Sequence, residues 1–282
     1  MTLTQNGTIR LMRGIGGVVL FVLILWTIAP LYWMLVTSLK VNAEIYGTSV
    51  TLWPSKPTLD NYRILFKETN FPIYFRNSMI VAVATTFLSL IIAALGAYAL
   101  TRLNFPGRRF FARALVYTYL MPSSLLFIPL LVIIRGVGLQ NTLEGLVFSY
   151  LGFTVPFCSW LLMGYFMSIP IELEESAMID GCSRLGVLFR IVLPLTLPAL
   201  AVVAFFSFTL SWNEFIYALT LVTASSERTI PVGVLVQLTR ADVYFWGPLM
   251  AGALLGSVPV ALVYSFFVDQ YASGLTAGGV KG

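Results

Sequence analysis

The 282-residue chain is 58% hydrophobic and only 10% charged, with a formal net charge of +5. Soluble domains carry about 25% charged residues, and surface-to-volume scaling leaves a chain this apolar too much greasy area to hide in one core. Lipid is the solvent the composition asks for. The absence of histidine excludes histidine bases, histidine metal ligands and Ser-His-Asp chemistry. The basic residues sit in short clusters between apolar runs, a pattern of membrane topology and anionic headgroups rather than of nucleic acid.

A spanning helix needs roughly 20 apolar residues, and six stretches qualify: about 14–39, 77–101, 114–134, 145–167, 191–222 and 243–268. The first follows Arg10 and Arg13 but is far longer than the roughly 7–15-residue core of a signal peptide, so it reads as an uncleaved span. Pro122, Pro129, Pro156, Pro198 and Pro259 fall inside spans, where membrane helices tolerate them. Ala93 and Ala97, and Gly247, Ala251, Gly252 and Gly256, give close-packing faces. With the N-terminus inside, the inner segments carry nine basic residues (Arg10, Arg13, Arg102, Arg108, Arg109, Arg113, Arg184, Arg190, Lys281). The short outer loops carry Arg135, Arg228 and Arg240. This predicts both termini on the cytoplasmic side. Residues 40–76 form a long outer loop, with an extended start at Pro54 and Pro57 and a short helix after Thr58-Leu59-Asp60-Asn61-Tyr62. Cys158 reads as a small buried hydrophobe and Cys182 as a loop residue.

The segment 168–194, between the fourth and fifth spans, reads as helix, glycine corner, helix. Ser168 is a candidate cap, and Pro170 suits a first turn. Glu172, Glu174 and Glu175 complement the positive helix N-terminus. Gly181 is a natural stop, and Ser183 is placed to cap a second helix ending by Pro194. Ile171, Leu173, Ala177, Met178, Leu185 and Phe189 would be exposed among charges. Three glutamates disfavour an anionic leaflet, so a protein partner is the expected occupant of this face.

The spacing Glu175-Ser176-Ala177, three residues, Gly181, nine residues, Ile191-Val192-Leu193-Pro194 resembles the EAA loop of binding-protein-dependent ABC import permeases. Ser176 replaces the first alanine. The tail Gly274–Gly282 and the segment Ser211-Trp212-Asn213-Glu214-Phe215 look like the maltose-type carbohydrate branch. The resemblance implies an all-α integral membrane protein with six transmembrane helices, the MetI-like type I ABC importer permease fold, in one domain. It implies a bacterial cytoplasmic (inner) membrane location, two ATPase subunits carrying ATP and Mg, a second related permease, an extracytoplasmic binding protein and a sugar-type substrate. No cofactor is expected on this chain, and no catalysis of its own. The glycine spacing of Gly274–Gly279 is interrupted by Val280 before Lys281, so no phosphate cradle is expected.

By the same resemblance Glu175, Ser176, Ala177, Asp180, Gly181, Leu193 and Pro194 would receive the ATPase. Gly279, Val280, Lys281 and Gly282 would reach its interface, and Thr223–Tyr244 would meet the binding protein. Glu214, a carboxylate within a predicted span, is a candidate for the substrate pathway with Trp212 and Asn213, or else forms a structural interhelical hydrogen bond near the outer end of the fifth span. The competing class is an ion-coupled secondary transporter or channel. Such proteins place ionisable groups or broken helices at the membrane midplane.

Overall fold

Long uncharged runs leave the backbone no hydrogen-bond partner except itself, so helices dominate. The computed structural model describes residues 2–240 and 243–279, including the side chains of 12–122, 124–239 and 243–267. In chain order the helices are α1 (Thr2–Ser38), α2 (Asn42–Ile45), α3 (Asp60–Lys67), α4 (Phe71–Arg102), α5 (Arg108–Leu120), α6 (Ser123–Gly136), α7 (Leu143–Ser168) and α8 (Ile171–Ile179). There follow α9 (Arg184–Val187), a π turn (Leu188–Val192), α10 (Leu193–Leu195), α11 (Leu197–Trp212), α12 (Ile216–Leu221), a 3₁₀ turn (Ser225–Glu227), α13 (Ile230–Leu238) and α14 (Trp246–Gly279). Between α13 and α14, two-residue strands β1 (Thr239–Arg240) and β2 (Val243–Tyr244) pair antiparallel, Thr239 opposite Tyr244.

Among the described residues, four helices are long and apolar enough to cross a membrane: Met12–Ser38, Phe71–Arg102, Leu143–Ser168 and Trp246–Phe267. The number rises to six if two bent pairs each count as one span. The predicted third span, 114–134, is one of these pairs, α5 and α6 meeting at 108°. Met121 precedes Pro122 and is extended, φ −71° and ψ 133°, as the proline ring demands of its neighbour. The predicted fifth span, 191–222, is divided three ways. It bends by 81° between Leu195 and Leu197, next to Pro198 in the first turn of α11, and it is interrupted again at Asn213–Phe215 before α12. Pro129, Pro156 and Pro259 stay inside helices as expected, whereas Pro122 and Pro198 mark starts.

The chain contacts group into two units, residues 1–69 with 235–256, and residues 70–234 with 257–282. In the first, the 40–69 loop is tied down by its own polar groups. The Asn61 amide donates to the carbonyls of Ser38 (2.9 Å) and Lys40 (2.8 Å), and the Ser38 and Tyr62 hydroxyls share a hydrogen bond. The Glu44 carboxylate accepts from the Thr51 hydroxyl and from the Ser55 amide and hydroxyl. Gly247 must be glycine here, because a Cβ would lie 2.2 Å from Asn61 Oδ1.

In the second unit α4 packs chiefly on α7, with α11 against both. Ala93 and Ala97, both fully buried, share one core cluster with Cys158 and Leu162 of α7, and α4 and α7 lie in close contact, as the small-residue spacing implied. A Ser89–Thr154 hydroxyl pair at 2.8 Å bridges α4 and α7. A second cluster gathers Val81, Leu146, Tyr150 and Tyr217.

Candidate functional site

The elbow is built from the end of α7 onward. Ser168 does not cap α8. Its hydroxyl donates back to the Tyr165 carbonyl at 2.7 Å and finishes α7, while Pro170 occupies the cap position of α8. Proline at that point has no amide to leave unsatisfied and cannot extend α7.

α8 stops in a Schellman motif. The Cys182 amide donates to the Ala177 carbonyl at 2.9 Å and the Gly181 amide to Met178 at 3.1 Å, the paired 6→1 and 5→2 bonds of that cap. The motif needs a left-handed residue, and Gly181 supplies φ +88°. A Cβ added at Gly181 would meet nothing within 4 Å. Within this chain, therefore, only backbone freedom is required of Gly181, and any need for its missing side chain lies with a partner.

Ser183 then caps α9, its hydroxyl accepting from the Gly186 amide at 3.1 Å. The second arm does not end by Pro194. It widens into the π turn Leu188–Val192 and runs on to Leu195. Pro194 has no N–H for the Arg190 carbonyl and its ring crowds that carbonyl, and a wider turn just upstream accommodates both.

The elbow is anchored by residues that sequence spacing did not single out. Arg102, the last residue of α4, places Nε 2.6 Å from Glu174 Oε1, with side-chain exposures of only 10% and 3%. The same guanidinium donates to the carbonyls of Phe166 (2.6 Å) and Ile169 (3.0 Å), and the Tyr98 hydroxyl donates to Glu174 Oε2 at 3.3 Å. Glu174 is thus the buried strut of α8, and Glu175 one residue on is exposed. Ala177, Met178, Cys182 and Leu193 pack partly buried on the α4–α7–α11 core, so Ala177 and Met178 are not the exposed apolar residues the pattern suggested. The exposed face holds Ile171, Leu173, Leu185 and Phe189, together with Ile179 at 86% exposure. Ser176, Asp180 and Pro194 are exposed beside it. The Ser176 hydroxyl is turned back onto the Glu172 carbonyl at 2.8 Å.

The second candidate set is placed differently from expectation. Glu214 follows the end of α11 and caps α12, its carboxylate accepting from the amides of Tyr217 (2.9 Å) and Ala218 (3.0 Å). These are local backbone contacts that start a helix, not a bond between helices. Trp212 is 3% exposed, stacked on Phe208 at 5.5 Å and met edge-on by Phe75 at 5.8 Å, so its ring offers no open face to a sugar. Asn213 is exposed, and its amide donates to the Thr209 carbonyl. Of the tail, Gly279 is the last helical residue of α14, and Val280, Lys281 and Gly282 lie outside the described residues.

In the 223–244 region, Asn141 binds the Thr223 amide (2.7 Å) and hydroxyl (2.9 Å), and Asn77 binds the carbonyls of Ser226 and Arg228. The ordered start of this loop thus rests on α4 and on the α6–α7 turn.

Membrane-length helices joined by a two-armed elbow, which a buried ion pair pins to the end of α4, define a helical membrane protein. Residues 86–276 match the family described as "Binding-protein-dependent transport system inner membrane component". The chain is 39% identical over 254 residues to the sulfoquinovosyl glycerol transport system permease protein of Agrobacterium fabrum, covering 90% of this chain and 88% of that one. It is 36% identical over 276 residues to the trehalose/maltose transport system permease protein of Thermococcus litoralis, covering 97% of each. A diacetylchitobiose uptake system permease protein of Streptomyces coelicolor is 33% identical over 276 residues, covering 97% and 98%. In fold it is similar to a chain of a bacterial ABC transporter involved in the import of the acidic polysaccharide alginate, with a TM-score of 0.80 and 24% identity over 93% of this chain and 96% of that one. The chain belongs to the binding-protein-dependent transport system inner membrane component family.

Proposed function

We propose that this chain is one of two permease subunits of an ATP-driven importer that moves a sugar or sugar derivative across the bacterial cytoplasmic membrane. The observation that carries the proposal is the elbow: two arms joined at a left-handed glycine, locked to α4 by Arg102–Glu174 and presenting an exposed apolar rim among charges. Two ATPase subunits, holding ATP and Mg themselves, dock on Glu175, Ser176, Ala177, Asp180, Gly181, Leu193 and Pro194. Gly279–Gly282 reach the same interface. No ATP hydrolysis is assigned to this chain. The elbow binds the ATP-closed pair differently from the open pair, and that difference in affinity is what shifts the spans between inward- and outward-facing states. Both termini lie in the cytoplasm, and residues 223–244 face the extracytoplasmic binding protein.

The sugar class is supported by relatives of 33–39% identity whose names specify sulfoquinovosyl glycerol, trehalose/maltose and diacetylchitobiose. The test is purification of the intact complex from membranes, with mass spectrometry of its subunits and of small molecules released from its binding protein. A complex with two ATPases, a second permease and a bound saccharide is expected. A chain purified with no ATPase, or with a bound ligand that is not a sugar, overturns the proposal. A second test is Gly181→Asp, expected to leave the complex assembled in the membrane while abolishing uptake.

A further inference from the structure

Where α1 ends and α14 begins, residues of the first unit line a partly open cavity of about 360 Å³, within the roughly 300–1,000 Å³ range of small-molecule sites. Its walls include Trp33, Thr37, Lys40, Glu44, Val50 and Trp246. We propose that this cavity is a subsite for one ring of a neutral sugar, held by the permease chain itself. The inference rests on the importer function above and goes beyond it in giving this chain its own contact with cargo.

Three observations carry it. The first is aromatic. A sugar ring has an apolar C–H face that packs on an aromatic ring and a belt of hydroxyls that needs polar partners. Trp33 and Trp246 keep 42% and 40% of their surface exposed, although each has one face engaged. The Lys40 ammonium lies 4.9 Å from the Trp33 ring, and Tyr244 stacks on Trp246 at 5.0 Å. Tryptophans at a span's end commonly serve as interfacial anchors in lipid. These two instead share a cavity wall with side chains as buried as Lys40, 4% exposed.

The second is an unmet polar group. Thr37 is 7% exposed and lines the cavity, and its hydroxyl has no hydrogen-bond partner among the described residues. A buried hydroxyl without a partner is costly, and rotation of the Thr37 side chain toward a ligand hydroxyl in the cavity would remove that cost.

The third is charge. Lys40 and Glu44 cancel formally, and both are already engaged, Lys40 with the Thr51 carbonyl at 2.6 Å and Glu44 with Thr51 and Ser55. An acidic sugar would be repelled by the Glu44 carboxylate, and this offsets its attraction to the Lys40 ammonium, which is already turned onto the Thr51 carbonyl and the Trp33 ring. A neutral ring meets no such repulsion.

The experiment uses the whole complex in lipid nanodiscs without its binding protein, titrated with maltose, trehalose, diacetylchitobiose and, as the acidic comparison, an alginate disaccharide. Binding is followed by tryptophan fluorescence and saturation-transfer NMR. At least one neutral sugar is expected to saturate the signal. Thr37→Val, which exchanges the hydroxyl for a methyl, should weaken it about 2- to 10-fold, the worth of one hydrogen bond. Trp33→Phe should weaken it and reduce the fluorescence change, and the alginate disaccharide should not compete. Binding unchanged in both variants overturns the inference, as does tighter binding of the acidic sugar. The membrane level and ATPase rate of each variant complex, equal to wild type, exclude misfolding as the cause of a loss. Uptake measured in parallel with the binding protein separates the two levels. A neutral sugar carried into vesicles but not bound in the cavity sinks the subsite and leaves the importer standing. No carriage and no binding of any of the sugars counts against both.

Discussion

Replacing Arg102 by leucine removes the guanidinium that fixes the elbow to the end of α4. The wild-type side chain makes contacts of 2.6 Å to Glu174, 2.6 Å to the Phe166 carbonyl and 3.0 Å to the Ile169 carbonyl. In the variant the Glu174 carboxylate, 3% exposed, keeps only the 3.3 Å hydrogen bond from Tyr98 among these contacts. Breaking a buried pair from one side costs about 3–5 kcal/mol, because a charge is left without compensation. The cheapest relief is for α8 to lift into water. At tenfold per 1.4 kcal/mol, local opening of residues 170–182 should rise by roughly 10²- to 4 × 10³-fold. Hydrogen–deuterium exchange on the complex in nanodiscs reads this directly. The double variant R102L/E174L removes the stranded charge as well and should recover most of the protection. Exchange within about twofold of wild type in R102L, or a double variant more labile than the single, would refute the strut.

Gly181→Ala should destabilise the elbow by about 1–2 kcal/mol through its positive φ alone, since no atom crowds the new Cβ. Gly181→Asn should cost less, because asparagine tolerates that conformation, and exchange protection of α8 ranks the two. Glu214→Ala should lower the thermal midpoint of the complex by removing the cap of α12, a loss of about 0.5–2 kcal/mol, without changing the sugar concentration for half-maximal uptake. A changed sugar dependence at an unchanged midpoint would assign it to the pathway instead. Gly247→Ala should reduce the yield of folded complex, because its Cβ cannot share space with the Asn61 amide, and normal yield and stability would contradict that contact. The Glu44 carboxyl is held below its ordinary range mainly by the Thr51 hydroxyl, with burial opposing and Ser55 and Lys40 assisting. A depressed acid stabilises the fold above its unfolded-state pKa and loses that contribution as pH falls through its folded-state pKa. The 40–69 loop should therefore become more protease-sensitive on acidification below the ordinary carboxylate range, and Glu44→Gln should flatten that response.

The helical membrane class was legible because lipid forces it: long apolar runs have one structural solution. The elbow was legible in outline because glycine at a helix end and serine at a helix start have strong local reasons to be there. What spacing could not show was which of the three glutamates Glu172, Glu174 and Glu175 turns inward. Glu174 and Arg102 are 72 residues apart, and their pairing depends on where α4 ends against α7. The same limit explains Glu214. Hydropathy carries 191–222 as one run, but Pro194, Pro198 and the Asn213–Phe215 break divide it, and a carboxylate that looked marooned in lipid caps a new helix. The cavity at Trp33 and Trp246 joins residues more than two hundred positions apart and has no sequence signature at all.

The central claim is that an ATPase drives this chain through its elbow. The most direct measurement is sugar uptake by the complex in sealed proteoliposomes, with the binding protein outside and ATP inside, compared between wild type and Gly181→Asp. The account predicts uptake that requires both ATP and the binding protein and that disappears in the variant while the complex stays assembled. Uptake that runs on an ion gradient without ATP, or that persists in the elbow variant, would contradict it.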